Sequence, residues 1–187
     1  MASGNNKRGR PSKGGSKLNA ENILMCAKAV MATKGAPPSI RQLAQALDVD
    51  AMAIYYYYKN KASLLEAIAV SLIDDIYNPQ SKENWQLELM QLSLSYLTLL
   101  EQYQGLLETL LSMDSEGPAR VFFMRLKSIL SPLALTEEVE EHTLNLLVDY
   151  LHGYALAMRC NKDLCQNQAL LSGPLGLICA GVASYVK

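Results

Sequence analysis

Histidine is the scarcest of the chemically versatile residues in this chain: two occur among 187, His142 and His152, and none precedes them. Metal sites and acid–base centres that lean on imidazole are therefore excluded from everything ahead of position 142. Cys26, Cys160, Cys165 and Cys179 offer no pair at zinc-like spacing, since Cys160 and Cys165 stand five apart and face different sides of a helix. Such scatter suits buried, reduced thiols in a cytosolic protein, with redox sensing at Cys160 or Cys165 as the alternative. Missing as well are a Gly-x-Ser-x-Gly elbow, a phosphate loop, a His-Glu-x-x-His pair and a dinucleotide fingerprint. Asp74 and Asp75 are neighbours on a helix and point apart, which unfits them for shared acid–base work. We expect no catalytic residue, no cofactor and no metal. No run alternates with period two, so a sheet is excluded. The N-terminus is basic but lacks the apolar stretch of a secretory signal, and we expect a cytoplasmic location.

Charge is present but unevenly placed. Residues 1–61 hold ten basic residues (Lys7, Arg8, Arg10, Lys13, Lys17, Lys28, Lys34, Arg41, Lys59 and Lys61) against Glu21, Asp48 and Asp50. The balance is +7 there and −8 in the remainder, hidden in a whole-chain charge of −1. A basic N-terminal third attracts phosphates and an acidic remainder repels them, so any nucleic-acid face belongs at the N-terminal end. Residues 1–17 contain no acid and little that could be buried, and read as a disordered basic arm. Within it Lys7-Arg8-Gly9-Arg10-Pro11 resembles an AT-hook core, whose two arginines suit a narrow A·T-rich minor groove. A merely solubilising tail is the plainer reading of the same residues.

Residues 39–61 carry the most specific pattern. Ser39 with Gln42 three residues on forms a capping box, and Pro37-Pro38 keeps the preceding helix out. Leu43, Ala44 and Leu47 line one face; Val49 and Ile54 then flank Asp50 as a hydrophobic staple around a second N-cap. Two short helices separated by so tight a turn cross steeply and pack through the small Ala44. This is a helix-turn-helix pattern, and it points to DNA. Ala51, Met52, Tyr55 and Tyr56 fall on the outer face of the second helix, where apolar groups suit thymine methyls and phenols suit phosphates. Tyr58 falls with Ile54 on the inner side and reads as core.

The segment resembles the DNA-binding domain of the TetR family of bacterial transcriptional regulators, most of all its tetracycline-repressor branch. The resemblance rests on Leu47 to Ala67: Ile54-Tyr55, then Tyr57, Tyr58, Asn60 and Lys61, then Leu64-Leu65. It implies that Arg41 reads a base edge, that Ala51, Met52 and Ala53 face the major groove, and that Tyr55 and Lys61 hold phosphates. With them Arg8, Arg10, Ser39, Tyr56, Tyr57 and Lys59 make up the expected DNA contacts. Two departures stand out: Asp48 where the family has glycine, and Tyr57 where the nearest branch has histidine. Aspartate tolerates left-handed backbone better than most residues, so the turn is expected to survive.

The rest reads as helical throughout. Asn19 starts a first helix with a stripe of Ile23, Leu24, Ala27, Val30 and Met31, ended by Gly35. The spacing predicts a fourth helix from about Asn60 to Tyr77, a fifth capped by Ser81, a break at Gly105, a helix between Gly117-Pro118 and Pro132, and two long helices near 136–159 and 163–186. The expected fold class is all-α: a disordered arm (1–17), a three-helix helix-turn-helix DNA-binding domain (18–61), and a larger helical ligand-binding and dimerisation domain (62–187). Gly153, Gly173, Gly176, Ala180, Gly181 and Ala183 would let the last two helices pack closely against a second copy, giving a homodimer. Pro174 and the shortness of the apolar run argue against a membrane span.

The expected partners are thus a palindromic double-stranded DNA operator, a second subunit and a small-molecule effector, with no membrane. Pocket candidates are Trp85, Tyr96, Tyr103, Phe122, Tyr150 and Tyr154, with Tyr96, Tyr103, His142 and His152 as the polar groups to watch. The tetracycline branch chelates a magnesium-bound drug partly through a histidine on its fourth helix; Tyr77 stands near that place here, so the resemblance implies a neutral or lipophilic ligand instead. An architectural protein binding A·T-rich DNA through its arm is the alternative, and a small helical enzyme a remoter one.

Overall fold

A computed structural model of the chain describes residues 18–80, 83–160 and 169–186. Among them all regular structure is helical, with no strand, so the all-α expectation holds. The arm at 1–17, Ser81 and the stretch 163–168 lie outside the described residues.

Local caps define the N-terminal elements. Helix α1 (Ala20–Lys34) begins where the Asn19 side chain accepts from the Asn22 amide at 2.7 Å, and ends at Gly35, whose φ of 66° no β-carbon obstructs. In α2 (Ile40–Ala46) the Ser39 and Gln42 side chains each accept from the other's backbone amide, at 3.2 and 2.8 Å. Asp50 caps α3 (Ala51–Tyr55) by accepting from Met52 at 2.7 Å. Asn60 and Ser63 form a second reciprocal box at the start of α4 (Lys61–Asp74). Ile23, Ala27 and Met31 of α1, Leu43 of α2, Ile54 of α3 and Leu64 and Ile68 of α4 are buried together and continue into the core of the later helices.

Two boundaries differ from the sequence reading. Helix α4 stops at Asp74 rather than Tyr77, because its final carbonyls bond elsewhere: Arg125 donates to Ile73, Asp74 and Ile76 oxygens at 2.7 to 3.1 Å, and the Tyr77 amide donates to Ser95 Oγ at 2.8 Å. Helix α5 (Trp85–Gln102) is capped by Asn84, which accepts from Leu87 at 3.1 Å, so it starts later than the sequence reading placed it. Its inward stripe of Trp85, Leu89, Leu92, Tyr96 and Leu99 is buried as its spacing requires.

After α6 (Leu106–Leu111) and α7 (Gly117–Leu130), a 3-10 turn at Ser131–Leu133 leads to the long α8 (Glu137–Cys160); α9 (Ala169–Ala183) closes the described chain. Helix α7 lies chiefly against α4, while α5 runs between α7, α8 and α9 as the centre of the larger core. No described helix is long and apolar enough to cross a membrane.

Gly105 marks where the α5–α6 turn meets the end of α1. A β-carbon there would sit 2.6 Å from the Gly35 carbonyl oxygen and 3.0 Å from Ala36 Cα, both backbone atoms that cannot rotate away. Gly105→Ala is expected to destabilise the fold by about 1–3 kcal/mol, the usual range for overpacking, and urea unfolding checks it. An unchanged midpoint would mean that this approach is looser than it stands here.

Candidate nucleic-acid interface and adjoining cavity

The turn between α2 and α3 is built on Asp48, which takes φ 52° and lets the Val49 amide reach the Ala44 carbonyl at 3.0 Å. Aspartate therefore does what glycine does in such turns, at modest steric cost. Ala44 is buried at the crossing, and Ile54 pins α3 inward. The opposite face is open: Met52 is 71% exposed and Tyr56 86%, with Tyr55 at 41% beside them. Ala51 and Ala53 are half-buried. Arg41 on α2 and Lys59 and Lys61 after α3 are exposed, and among the described residues none of these three is held in an ion pair. Ser39 is exposed as well, with its hydroxyl already accepting in the cap. Arg8 and Arg10 lie outside the described residues.

The four tyrosines divide by side. Tyr58 is 9% exposed, and its hydroxyl donates to the Ala20 carbonyl at 3.3 Å. Tyr57 keeps a ring edge at the surface while its hydroxyl donates to Leu18 O at 2.7 Å, tying the aromatic run to the start of α1. Its ring meets Tyr56 edge-on, centroids 5.3 Å apart. Those bonds to α1 were not legible in the sequence, since residues nearly forty positions apart make them.

Beyond this face, α4, α5, α6, α7 and α8 enclose a cavity of about 210 Å³. One stripe of α8 supplies Leu144, Asn145, Val148, Asp149 and His152; Tyr96 and Phe122 form the aromatic wall, with Ile73, Leu110, Pro118 and Ser115 around them. The Tyr96 and Phe122 rings lie 5.0 Å apart. Tyr96 and His152 share a hydrogen bond of 2.7 Å. Burial pushes the Tyr96 phenol pKa up, and burial pulls that of His152 down against an opposing push from Asp149. A neutral imidazole accepting at Nε2 from the phenol, with its own proton on Nδ1, fits both shifts.

Of the six pocket candidates, Tyr96 and Phe122 line this cavity and four do not. Trp85 is packed into the core at the first turn of α5, and Tyr103 caps that helix at its far end. Tyr150 and Tyr154 pair with each other at 6.0 Å; they stand two positions on from Val148 and His152, which turns them to the far side of α8. Tyr77 donates to the buried Glu88 carboxylate at 3.0 Å, away from the cavity lining. His142 borders a separate groove between α8 and α9. Asn145, Asp149 and Ser115 went unnoticed in the sequence; the helical spacing of 145, 149 and 152 was the available signal. Among the described residues no cluster of His, Cys, Asp and Glu converges as a metal site would require.

Residues 23–68 match the family model described as bacterial regulatory proteins, tetR family. The class D tetracycline repressor protein of Escherichia coli is 30% identical over 92 residues, a stretch covering 47% of this chain and 42% of that relative. The match thus spans less than half of the relative's length. Over the whole chain the fold is similar to that of ActR, a TetR family protein of Streptomyces coelicolor in complex with (S)-DNPA, with 17% identity, a TM-score of 0.74 and coverage of 92% and 100% of the two chains. BioQ with its double-stranded DNA operator is similar at 17% identity and a TM-score of 0.71, covering 90% and 99%. At such identities the likeness establishes the fold.

The cavity pair has a consequence for stability. A histidine whose folded pKa lies below the unfolded value of 6.5 binds fewer protons folded than unfolded, so its contribution is complete above pH 6.5 and is lost as pH falls towards the folded value. Wild type is expected to lose more stability between pH 7.5 and 5.5 than His152→Gln, read from urea midpoints; equal losses would remove this role of His152.

Proposed function

We propose that this chain, which carries the amino-terminal domain of the tetR family, is a transcriptional repressor that binds a palindromic operator as a homodimer and releases it when a small lipophilic ligand enters the cavity. One observation carries the reading: the cavity wall and the reading head are fastened to the same helix. Ser115 lines the cavity and donates to Glu66 of α4 at 2.5 Å, and the start of α7 lies so close that a β-carbon on Gly117 would meet Glu66 at 3.1 Å and Val70 at 3.2 Å. At the other end of α4, Arg125 of α7 grips the last carbonyls, and Lys28 of α1 bonds Ser71 O at 3.1 Å and Asp75 at 2.6 Å. A ligand that shifts α7 thus moves α4, and α4 moves α1 and the helices packed on it. The ligand's effect is a difference in its affinity for the two arrangements.

The partner surface would be formed by α8 and α9. Leu146, Leu156, Leu170 and Leu177 are exposed, the last at 77%, and Tyr185 at 63%. Gly153, Gly173, Gly176 and Gly181 have open space where a side chain would stand, so another backbone could come close. Apolar exposure of this extent favours a covering subunit. Placing two reading heads about one helical turn apart would suit a palindrome.

On a duplex recovered by selection from a random pool, Arg41→Ala is expected to cost about 1–3 kcal/mol and to blur the preference at one base pair, whereas Lys61→Ala weakens all sequences alike and flattens the salt dependence. Equal A·T preference in wild type and Arg41→Ala would instead favour binding through the arm. Sedimentation is expected to give a dimer at micromolar concentration, and a monomer there would end the homodimer reading.

A further inference from the structure

The polar groups of the cavity are one-sided. Among its lining residues there is no lysine or arginine, and the only carboxylate is Asp149, exposed at the mouth and, among the described residues, in no ion pair. Of the basic residues on α7 and α8, Arg125 bonds the end of α4, Lys127 pairs with Glu140 at 3.3 Å and Arg159 with Glu108, while Arg120 is exposed beside Ala119 and does not line the cavity. Burial disfavours the protonated form of His152, whose Nε2 shares a 2.7 Å hydrogen bond with the Tyr96 hydroxyl, so it is a poor source of positive charge. Among the lining residues an anionic ligand would therefore meet a carboxylate and no counter-charge, whereas a cation would meet Asp149 and the ring faces beside it.

Size narrows the ligand further. A dry cavity of about 150 Å³ accepts benzene. At about 210 Å³ this one has room for a single ring with a short side chain. The ring has a ready place against Phe122 and Tyr96, whose own centroids are 5.0 Å apart. Asn145, one turn before Asp149 on the same face of α8, could add a carbonyl acceptor for an ammonium hydrogen.

We propose that the cavity takes a small aromatic amine, its ring against Phe122 and Tyr96 and its ammonium group at Asp149. This rests on the reading of the cavity as an effector site, and narrows its lipophilic ligand to one that carries a cationic group beside an apolar ring. The preference for a cation is set by one exposed carboxylate and is accordingly modest, roughly fivefold over a neutral analogue of the same size.

The test is calorimetric titration of the full chain with 2-phenylethylamine, 2-phenylethanol and phenylacetate, on wild type and Asp149→Asn, alongside fluorescence anisotropy of the selected operator duplex. The expected order on wild type is amine, then alcohol, then carboxylate. Asp149→Asn is expected to remove the advantage of the amine and to leave the alcohol as it was. If the alcohol or the carboxylate binds wild type as tightly as the amine, or if Asp149→Asn leaves the order intact, the cationic class is overturned; release of the duplex by whichever compound binds would then still uphold the effector reading. If the amine binds through Asp149 but the duplex stays bound, the cavity preference stands and the effector reading falls. Absence of binding by all three at millimolar concentration overturns the proposal.

Discussion

Helix α4 runs out of amides before it runs out of carbonyls, and Arg125 makes up the difference from another helix. Its guanidinium donates to the carbonyls of Ile73, Asp74 and Ile76 as well as to the Asp74 carboxylate at 2.9 Å. The carboxylate contact is the lesser part, because Asp74 is largely in water and exposed ion pairs contribute little. The carbonyls matter more: orphan acceptors at a part-buried helix end cost about 1–3 kcal/mol each when nothing bonds them. A charged donor that bonds the Asp74 and Ile76 carbonyls, and shares that of Ile73 with the Ile76 amide, fixes where α7 lies against the end of α4.

The remaining architecture follows from that placement. Because α7 lies along α4, Ser115 ahead of it reaches Glu66 and Phe122 within it faces Tyr96, so one packing decision closes the cavity and fastens it to the helix that follows the helix-turn-helix. On the other side of α4, Lys28 holds α1 at Ser71 and Asp75. Tyr57 and Tyr58 in turn tie the end of the helix-turn-helix to the start of α1. Short helices such as α2 and α3 have little stability of their own and depend on such ties. Their outward face is left for Met52, Tyr55 and Tyr56.

What could be foreseen from the chain divides along the range of the interactions. Ser39 with Gln42, Asp50, and Gly35 announced their helix ends because a cap joins residues two to four apart. The left-handed turn at Asp48 was legible for the same reason. The end of α4 was not: the break at Asn78-Pro79 places it at Tyr77, while α4 stops at Asp74, where Arg125, some fifty positions on, bonds its last carbonyls. The cavity was only half legible, since bulk marks Tyr96 and Phe122 as aromatic but does not separate them from Trp85 or Tyr154. Asp149 and Asn145 were passed over because polar residues on a long helix ordinarily face solvent, and only the packing of α7 turns that stripe of α8 into a wall.

If the Arg125 clamp on α4 holds the helix-turn-helix in place, amide hydrogen exchange on Arg125→Met, with affinity for a selected duplex measured on the same protein, will show it. Exchange is expected to quicken at the end of α4 and in α1, and duplex binding to weaken, although Arg125 lies on α7 and away from the exposed face of α3. Native exchange in both helices together with full operator affinity would contradict it, and would mean that the head stands independently of the helices behind it.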